Sequence, residues 1–350
     1  MTSTLNTNTK NRESNIELLR IVLMIMIIIH HLIVHGCQNS SPSKSTLLVS
    51  LNTFTIIAVN CFVFISGYYG IKFKAKTLLS FILQATFYSV ATYIIYHGFI
   101  AKEAYSTPDF IHSFFPVTYA QWWFLNAFLG VYILSPFINK GIESLNIYQS
   151  GLIVIILVYI NSSYPIMGYN FYSGSGHSFF TILSIYIIAR FCGKYIKDLK
   201  KPLILYICIY LLTLLLVYIL LSINYTNTAE RLVSYGCPLV ILGAIFFFYT
   251  FRKIKIQSNI INKIAPLCFG VYMIHDTTDT RLLIKGLVEQ VNNAIANPLL
   301  FGLALIGMAM LIFILCACIE KVRQIIFKPI LDSIEQKAST LFVKLKRITQ

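Results

Sequence analysis

The stretch Asn15–Gly36, NIELLRIVLMIMIIIHHLIVHG, decides the fold class: it is a continuous apolar run of membrane-spanning length with a few ionisable residues set into it. Those residues are Glu17, Arg20, His30, His31 and His35. An ionisable group inside a span is costly enough to point to function. At about 100° per residue, Arg20 and His31 fall within about 20° of each other, while Glu17 and His35 lie about 60° from Arg20 and His30 points away. The rise from Arg20 to His31 is about 16 Å, which places an arginine near one interface beneath a histidine near mid-membrane. Such a face can hold a long anionic ligand at one end and exchange protons at the other.

The rest of the chain has the same character. Of 350 residues, 57% are hydrophobic and 12% charged, and no long polar stretch offers a second globular domain. No small-residue cleavage pattern follows the first run, so it is expected to remain as a span. At about 20 apolar residues per crossing there are about ten spans, near 16–36, 46–69, 77–97, 121–139, 150–164, 178–195, 202–222, 233–251, 260–275 and 298–319. The expected fold is all-α, a polytopic transmembrane helix bundle over 15–320. A disordered Thr/Asn-rich segment, 1–14, precedes it. The basic tail, 321–350, reads either as an amphipathic helix on an anionic inner leaflet or as a solvated tail.

The net charge of +15 is scattered among short loops rather than gathered in a stripe with interleaved aromatics, which argues against nucleic acid. Membrane topology accounts for it better. One side carries Lys10, Arg12 and Arg20; Lys72, Lys74 and Lys76; Lys140; Arg190 to Lys201; Arg252 to Lys263; and the tail, which includes Lys328, Lys344, Lys346 and Arg347. The other carries Lys44, Lys102, Arg231, Arg281 and Lys285. By the positive-inside rule both termini are cytoplasmic and the number of spans is even. All seven histidines then fall in the middle or outer half of the membrane. The eight cysteines contain no CxxC pair and read as small buried residues; Cys37 and Cys237 are the two near the outer face, and no bridge between them is expected.

Arg20 alone reads as an interfacial anchor, and His31 alone as a core histidine bonded to a backbone carbonyl. Two adjacent histidines in mid-span are harder to explain that way, and a neutral imidazole is the state a general base requires. His31 and His35 have the i, i+4 spacing of a chelating pair, yet no HExxH or acidic cluster accompanies them, so no metal is expected. Trp122 and Trp123 read as an aromatic belt or as a platform for a sugar ring. Asn126, an amide in an apolar span, needs a partner, such as a histidine or a substrate hydroxyl. The uncharged segment 161–177, NSSYPIMGYNFYSGSGH, reads as an outer loop or re-entrant cover. His275 and Asp276 read as an interface pair at the outer end of a span.

Arg20, ten intervening residues and His31 resemble the R-x10-H signature of the acyltransferase 3 family of integral-membrane O-acyltransferases, which modify bacterial surface carbohydrates. CFVFISGYYG (Cys61–Gly70) resembles the family's FF-x-ISG-F/Y stretch, WWFLNAFLGVYILSPFI (Trp122–Ile138) its W-F-L…SPF span, and FGVYMIHD (Phe269–Asp276) its late SFG-x-Y-x-x-H element. These four pieces lie in order across most of the chain. The resemblance implies a catalytic histidine, His31 with His30 beside it, and an arginine, Arg20, that helps place an acyl-CoA donor. Ser66 and Gly67 would then allow close backbone approach to the donor, unless they serve helix packing. Lys72 and Arg190 would attract the CoA phosphates, unless they are plain inside charges. His35, Trp122, Trp123 and Asn126 would lie on the acceptor side. Where family members often have an acidic residue before the FF-x-ISG stretch, this chain has Asn60, so the resemblance supplies no carboxylate partner there.

The expected activity is O-acylation, with His31 either removing a proton from the acceptor hydroxyl or taking the acyl group and passing it on, and with final transfer made by the membrane domain alone or by a separate protein. Acetyl-CoA, or another short acyl-CoA, is a co-substrate and no resident cofactor is implied. The acceptor would be a polysaccharide or lipid-linked glycan, and the location a bacterial cytoplasmic membrane. An exporter or flippase of lipid-linked glycans is the alternative; it predicts internal repeats, and the two halves show no convincing self-similarity. A histidine-gated channel or receptor is a third reading.

Overall fold

The computed structural model describes residues 12–348 except 39, 102–105 and 171–173; the side chains of 174 and of 328–348 also fall outside the description. Most of the expected disordered start, 1–14, and the basic groups Lys10, Lys102, Lys328, Lys344, Lys346 and Arg347 therefore lie outside the described residues.

Among the described residues every regular element is a helix. In chain order they are α1 (Ser14–Gly36), α2 (Pro42–Thr55), α3 (Ile57–Tyr69), α4 (Ala75–Ile95), α5 (Thr107–Ser113), α6 (Trp123–Ser144), α7 (Ile147–Ser162), α8 (Phe179–Tyr195), α9 (Pro202–Ser222), α10 (Thr226–Leu232), α11 (Pro238–Arg252), α12 (Asn259–Ile264), α13 (Cys268–His275), α14 (Thr278–Ala294) and α15 (Pro298–Ile348). Apolar sequence with no water to pair its backbone must close its own hydrogen bonds, which the α-helix does within one segment. The ends are marked by capping chemistry: Asn146 and Gln149 form a capping box at α7, Ser178 and Thr277 cap α8 and α14, and Pro opens α9 and α11.

Six helical stretches among the described residues are long and apolar enough to cross a membrane: Ser14–Gly36, Pro42–Tyr69, Ala75–Ile100, Ile147–Met167, Pro202–Ser222 and Pro298–Phe327. The other segments expected to cross are shorter or interrupted. α6 contains Pro136 and ends in Lys140 and Glu143, α8 has 17 residues and α11 has 15, and a 3₁₀ turn over Ala265–Leu267 separates α12 from α13.

α1 sits in the centre, packed against α2, α3 and α11 to α15. Leu19, Leu23 and Ile28 on it are fully buried. By contrast only 17% of the apolar window of α7, and of α9, is buried in protein, so these two helices present apolar sides outward, as lipid-facing helices do. α3 and α8 approach closely because Gly67 has no side chain; a Cβ there would stand 2.6 Å from the Tyr186 carbonyl oxygen. α13 is fixed from behind by α15. Fully buried Glu320 accepts a 2.6 Å bond from the Tyr88 hydroxyl and a two-pronged pair from Arg323, and Gly270 leaves room for its carboxylate. Cys37 and Cys237 are both buried and free.

Candidate active site

A cavity of about 220 Å³ runs along α1. Arg20, Met24, Ile27 and His31 line it, spaced four, three and four residues apart, so a single helix face supplies one wall. The opposite walls are largely aromatic: Phe62 of α3, Phe81 of α4, Trp123, Phe124 and Phe128 of α6, and Phe269 and Tyr272 around α13. Arg20 and His31 therefore share one cavity, about 16 Å apart along the helix axis.

At the His31 end the side chains are interlocked. His275 Nδ1 lies 2.7 Å from the Val271 carbonyl oxygen, which only accepts, so that nitrogen carries the proton and Nε2 is bare. The bare nitrogen is 3.1 Å from His31 Nδ1, and Asp276 Oδ1 is 3.2 Å from the same atom. Facing two acceptors, His31 Nδ1 must be the protonated one, which leaves His31 Nε2 as the basic nitrogen. Asp276 is 1% exposed and accepts a 2.7 Å bond from Arg281 Nε. Burial disfavours the Arg281 charge, and the bond and charge of Asp276 raise it again beyond its ordinary range, so the carboxylate has a permanent cation behind it. The Tyr272 hydroxyl is buried on the cavity wall, with the Asp276 carboxylate as its neighbour.

The Arg20 end is loose. Its Nε is buried without a hydrogen-bond partner, and among the described residues its one ion pair, with Glu17 a turn earlier, spans 3.9 Å. Ser66 lines the cavity with its hydroxyl turned back to the Phe62 carbonyl at 3.3 Å.

Apart from Trp123, the other candidates are placed elsewhere. Gly67 packs against Tyr186 and Ala189 of α8. Lys72 is exposed and forms no part of the wall. Arg190 reaches the Gly67 and Tyr68 carbonyls at 3.5 and 3.4 Å and Glu143 at 3.4 Å, closing the C-terminus of α3 before Gly70, whose φ of +75° ends the helix. His30 is turned to the far side of α1, 2.8 Å from Asn52 Oδ1 on the wall of a second cavity. The His35 ring lies 5.5 Å from that of His31. Trp123 is in the first cavity's wall, whereas Trp122 is wholly buried. Asn126 donates to the Val117 carbonyl at 2.7 Å and so ties down a loop instead of meeting a histidine.

Sequence reasoning set His275 and Asp276 aside as an interface pair; the fold brings both against His31. The signal was present in FGVYMIHD, where an acid directly follows the histidine. The expected vacancy at Asn60 is met differently: its amide donates to the Tyr235 carbonyl, and the carboxylate for His31 comes from α13.

Residues 13–318 match the model of the acyltransferase domain family, Acyl_transf_3. No curated protein and no solved structure matches the chain. The match covers most of the sequence, and the chain belongs to this family of acyltransferases.

Proposed function

We propose that this member of the acyltransferase 3 family takes a short acyl group, acetyl in the simplest case, from cytoplasmic acyl-CoA to a hydroxyl of a cell-surface or lipid-linked polysaccharide. The observation that carries the reading is the cavity with a loosely paired guanidinium at one end and an oriented imidazole at the other. An extended phosphopantetheine arm has a length of the same order as the roughly 16 Å between them. Arg20 holds the CoA phosphates, the aromatic walls enclose the arm, and the thioester reaches His31.

There the acceptor oxygen attacks the thioester carbonyl carbon. His31 Nε2 takes the hydroxyl proton, the C–S bond breaks, and the proton passes to the departing CoA sulfur. Asp276 holds His31 in the tautomer that leaves Nε2 basic and stabilises the imidazolium that forms. The Tyr272 hydroxyl, on the same wall beside Asp276, serves the negative charge growing on the carbonyl oxygen.

The reading places Arg20 on the cytoplasmic side, with ten crossings and both termini inside a bacterial cytoplasmic membrane. Its support is the cross-bonding of basic segments on the Arg20 face. The Ile71 N–H donates to Tyr186, Lys74 N–H to Tyr132, Lys194 to the Leu145 carbonyl and Arg252 to that of Lys197. Those links gather the ends of α3, α6, α8 and α11 on one side, where the positive-inside rule wants them.

The test supplies radiolabelled acetyl-CoA to inside-out vesicles and follows label into polysaccharide. With His31→Ala, transfer is expected to fall by about 10²–10⁴-fold. Transfer at the wild-type rate would remove His31 from the reaction.

A further inference from the structure

A second, larger cavity of about 590 Å³ opens on the side of α1 away from the first. Its walls are polar where the first is aromatic. His30 and His177 face it, and Asn52, Ser175, Asn227 and Ser234 supply amides and hydroxyls. Two of its polar atoms, the Ser234 hydroxyl oxygen and Arg231 Nε, have no hydrogen-bond partner among the described residues. Ser234 is only 7% exposed, and Arg231 Nε is buried. The Arg231 guanidinium bonds to Thr228 Oγ1 at 2.9 Å, and among the described residues it forms no ion pair. Glu230 is also on the wall, but adjacent residues on a helix do not face each other. Gly168, at φ +75°, leaves the room that guanidinium occupies, since a Cβ there would stand 2.9 Å from Arg231 Nη1.

One layer of rings separates the two cavities. Trp123 and Tyr235, both walls of the first, stack at 5.4 Å, and the His177 ring, a wall of the second, lies 4.8 Å from one and 4.9 Å from the other. The chain itself alternates across this partition. His30 and Ser234 face the second cavity, while His31 and Tyr235 face the first.

Resting on the acyl-transfer reading above, we propose that the second cavity is a subsite of the acceptor chain beside the acylation site and takes a sugar unit bearing an oxyanion, held by Arg231. The hydroxyl to be acylated lies on the His31 side of the ring layer. The amides and hydroxyls meet sugar hydroxyls, as a polar cavity with unpaired donors requires of its ligand. The oxyanion requirement follows from a guanidinium that among the described residues forms no ion pair. A carboxylate on the sugar and a phosphate ester on it would both satisfy that chemistry.

Purified full-length protein in nanodiscs is titrated with trigalacturonate, glucose 1-phosphate, maltotriose and inorganic phosphate, reading tryptophan fluorescence, with Trp123→Phe locating the signal at the partition. At least one of the two acidic sugars is expected to bind tenfold or more tightly than maltotriose, and which of them does so identifies the oxyanion. Arg231→Gln should erase the preference, Arg231→Lys should keep most of it, and Ser234→Ala should weaken all saccharides by a smaller factor. Equal binding of acidic and neutral sugars, an unchanged preference in Arg231→Gln, or inorganic phosphate binding as tightly as the acidic sugars would overturn the proposal. Acyl-CoA binding is measured on the same samples. Its absence would defeat the acyl-transfer reading and leave the saccharide preference standing, whereas acyl-CoA binding without that preference would defeat the acceptor subsite alone.

Discussion

The two ends of the α1 cavity are built in opposite ways. At one end His31 is held by His275 at 3.1 Å and Asp276 at 3.2 Å, with Arg281 behind the carboxylate at 2.7 Å. At the other end Arg20 has a buried Nε without a partner and, among the described residues, a single 3.9 Å ion pair. An imidazole that moves protons gains from a locked tautomer and direction, because reorganisation during the reaction would add to the barrier. A guanidinium that recognises a ligand gains from having its donors unspent, since they must exchange water for phosphate and not for a competing protein acceptor. The locked end is thus assigned to chemistry and the loose end to binding.

Substitutions can break that division. Asp276→Asn at the locked end keeps the shape and removes the charge, and kcat in the labelled-transfer assay should fall by about 10²–10⁴-fold with KM for acyl-CoA little changed. A fall confined to KM would show that the locked end is not the chemical one. Tyr272→Phe should lower kcat by about 100-fold if its hydroxyl meets the developing oxyanion; a change below twofold would take it out of the mechanism. At the loose end, Arg20→Ala should raise KM for acyl-CoA by about tenfold or more, the worth of a charge-assisted bond, and saturating donor should restore much of the rate. Failure of excess donor to restore it would make Arg20 part of the chemistry and erase the contrast. The smallest effect on catalysis is expected at Gly67. Gly67→Ala forces a Cβ toward the Tyr186 carbonyl and should cost about 1–3 kcal/mol of stability, seen as a lower melting temperature, with KM for acyl-CoA unchanged in protein that stays folded.

These contrasts also separate what could be read along the chain from what could not. The shared face of Arg20 and His31 followed from helical periodicity alone, and the cavity lining repeats it at Met24 and Ile27. Periodicity said nothing of what stands opposite. Arg190, Gly67 and Lys72 share composition with a phosphate-binding mouth, yet the first two are spent on joining α3 to α8 and the third stays outside. Trp122 and Trp123 are adjacent and alike in type, but Trp122 is the extended N-cap of α6 (φ −122°, ψ 106°) and Trp123 its first helical residue, so the first is packed away and the second lines the cavity.

The sequence by itself determined an all-helical membrane chain, the direction in which each charged residue of α1 points, and the ordered motifs that carry the family. Tertiary structure alone decided that His31 meets His275 across 244 positions of sequence, that Asp276 rather than residue 60 supplies its carboxylate, and that Glu320 braces the helix bearing both. The reason is physical. A local repeat sets angles within one helix through bonds four residues apart, while the rotation of one helix against another is set by packing and by buried polar groups finding partners, and those partners lie far along the chain.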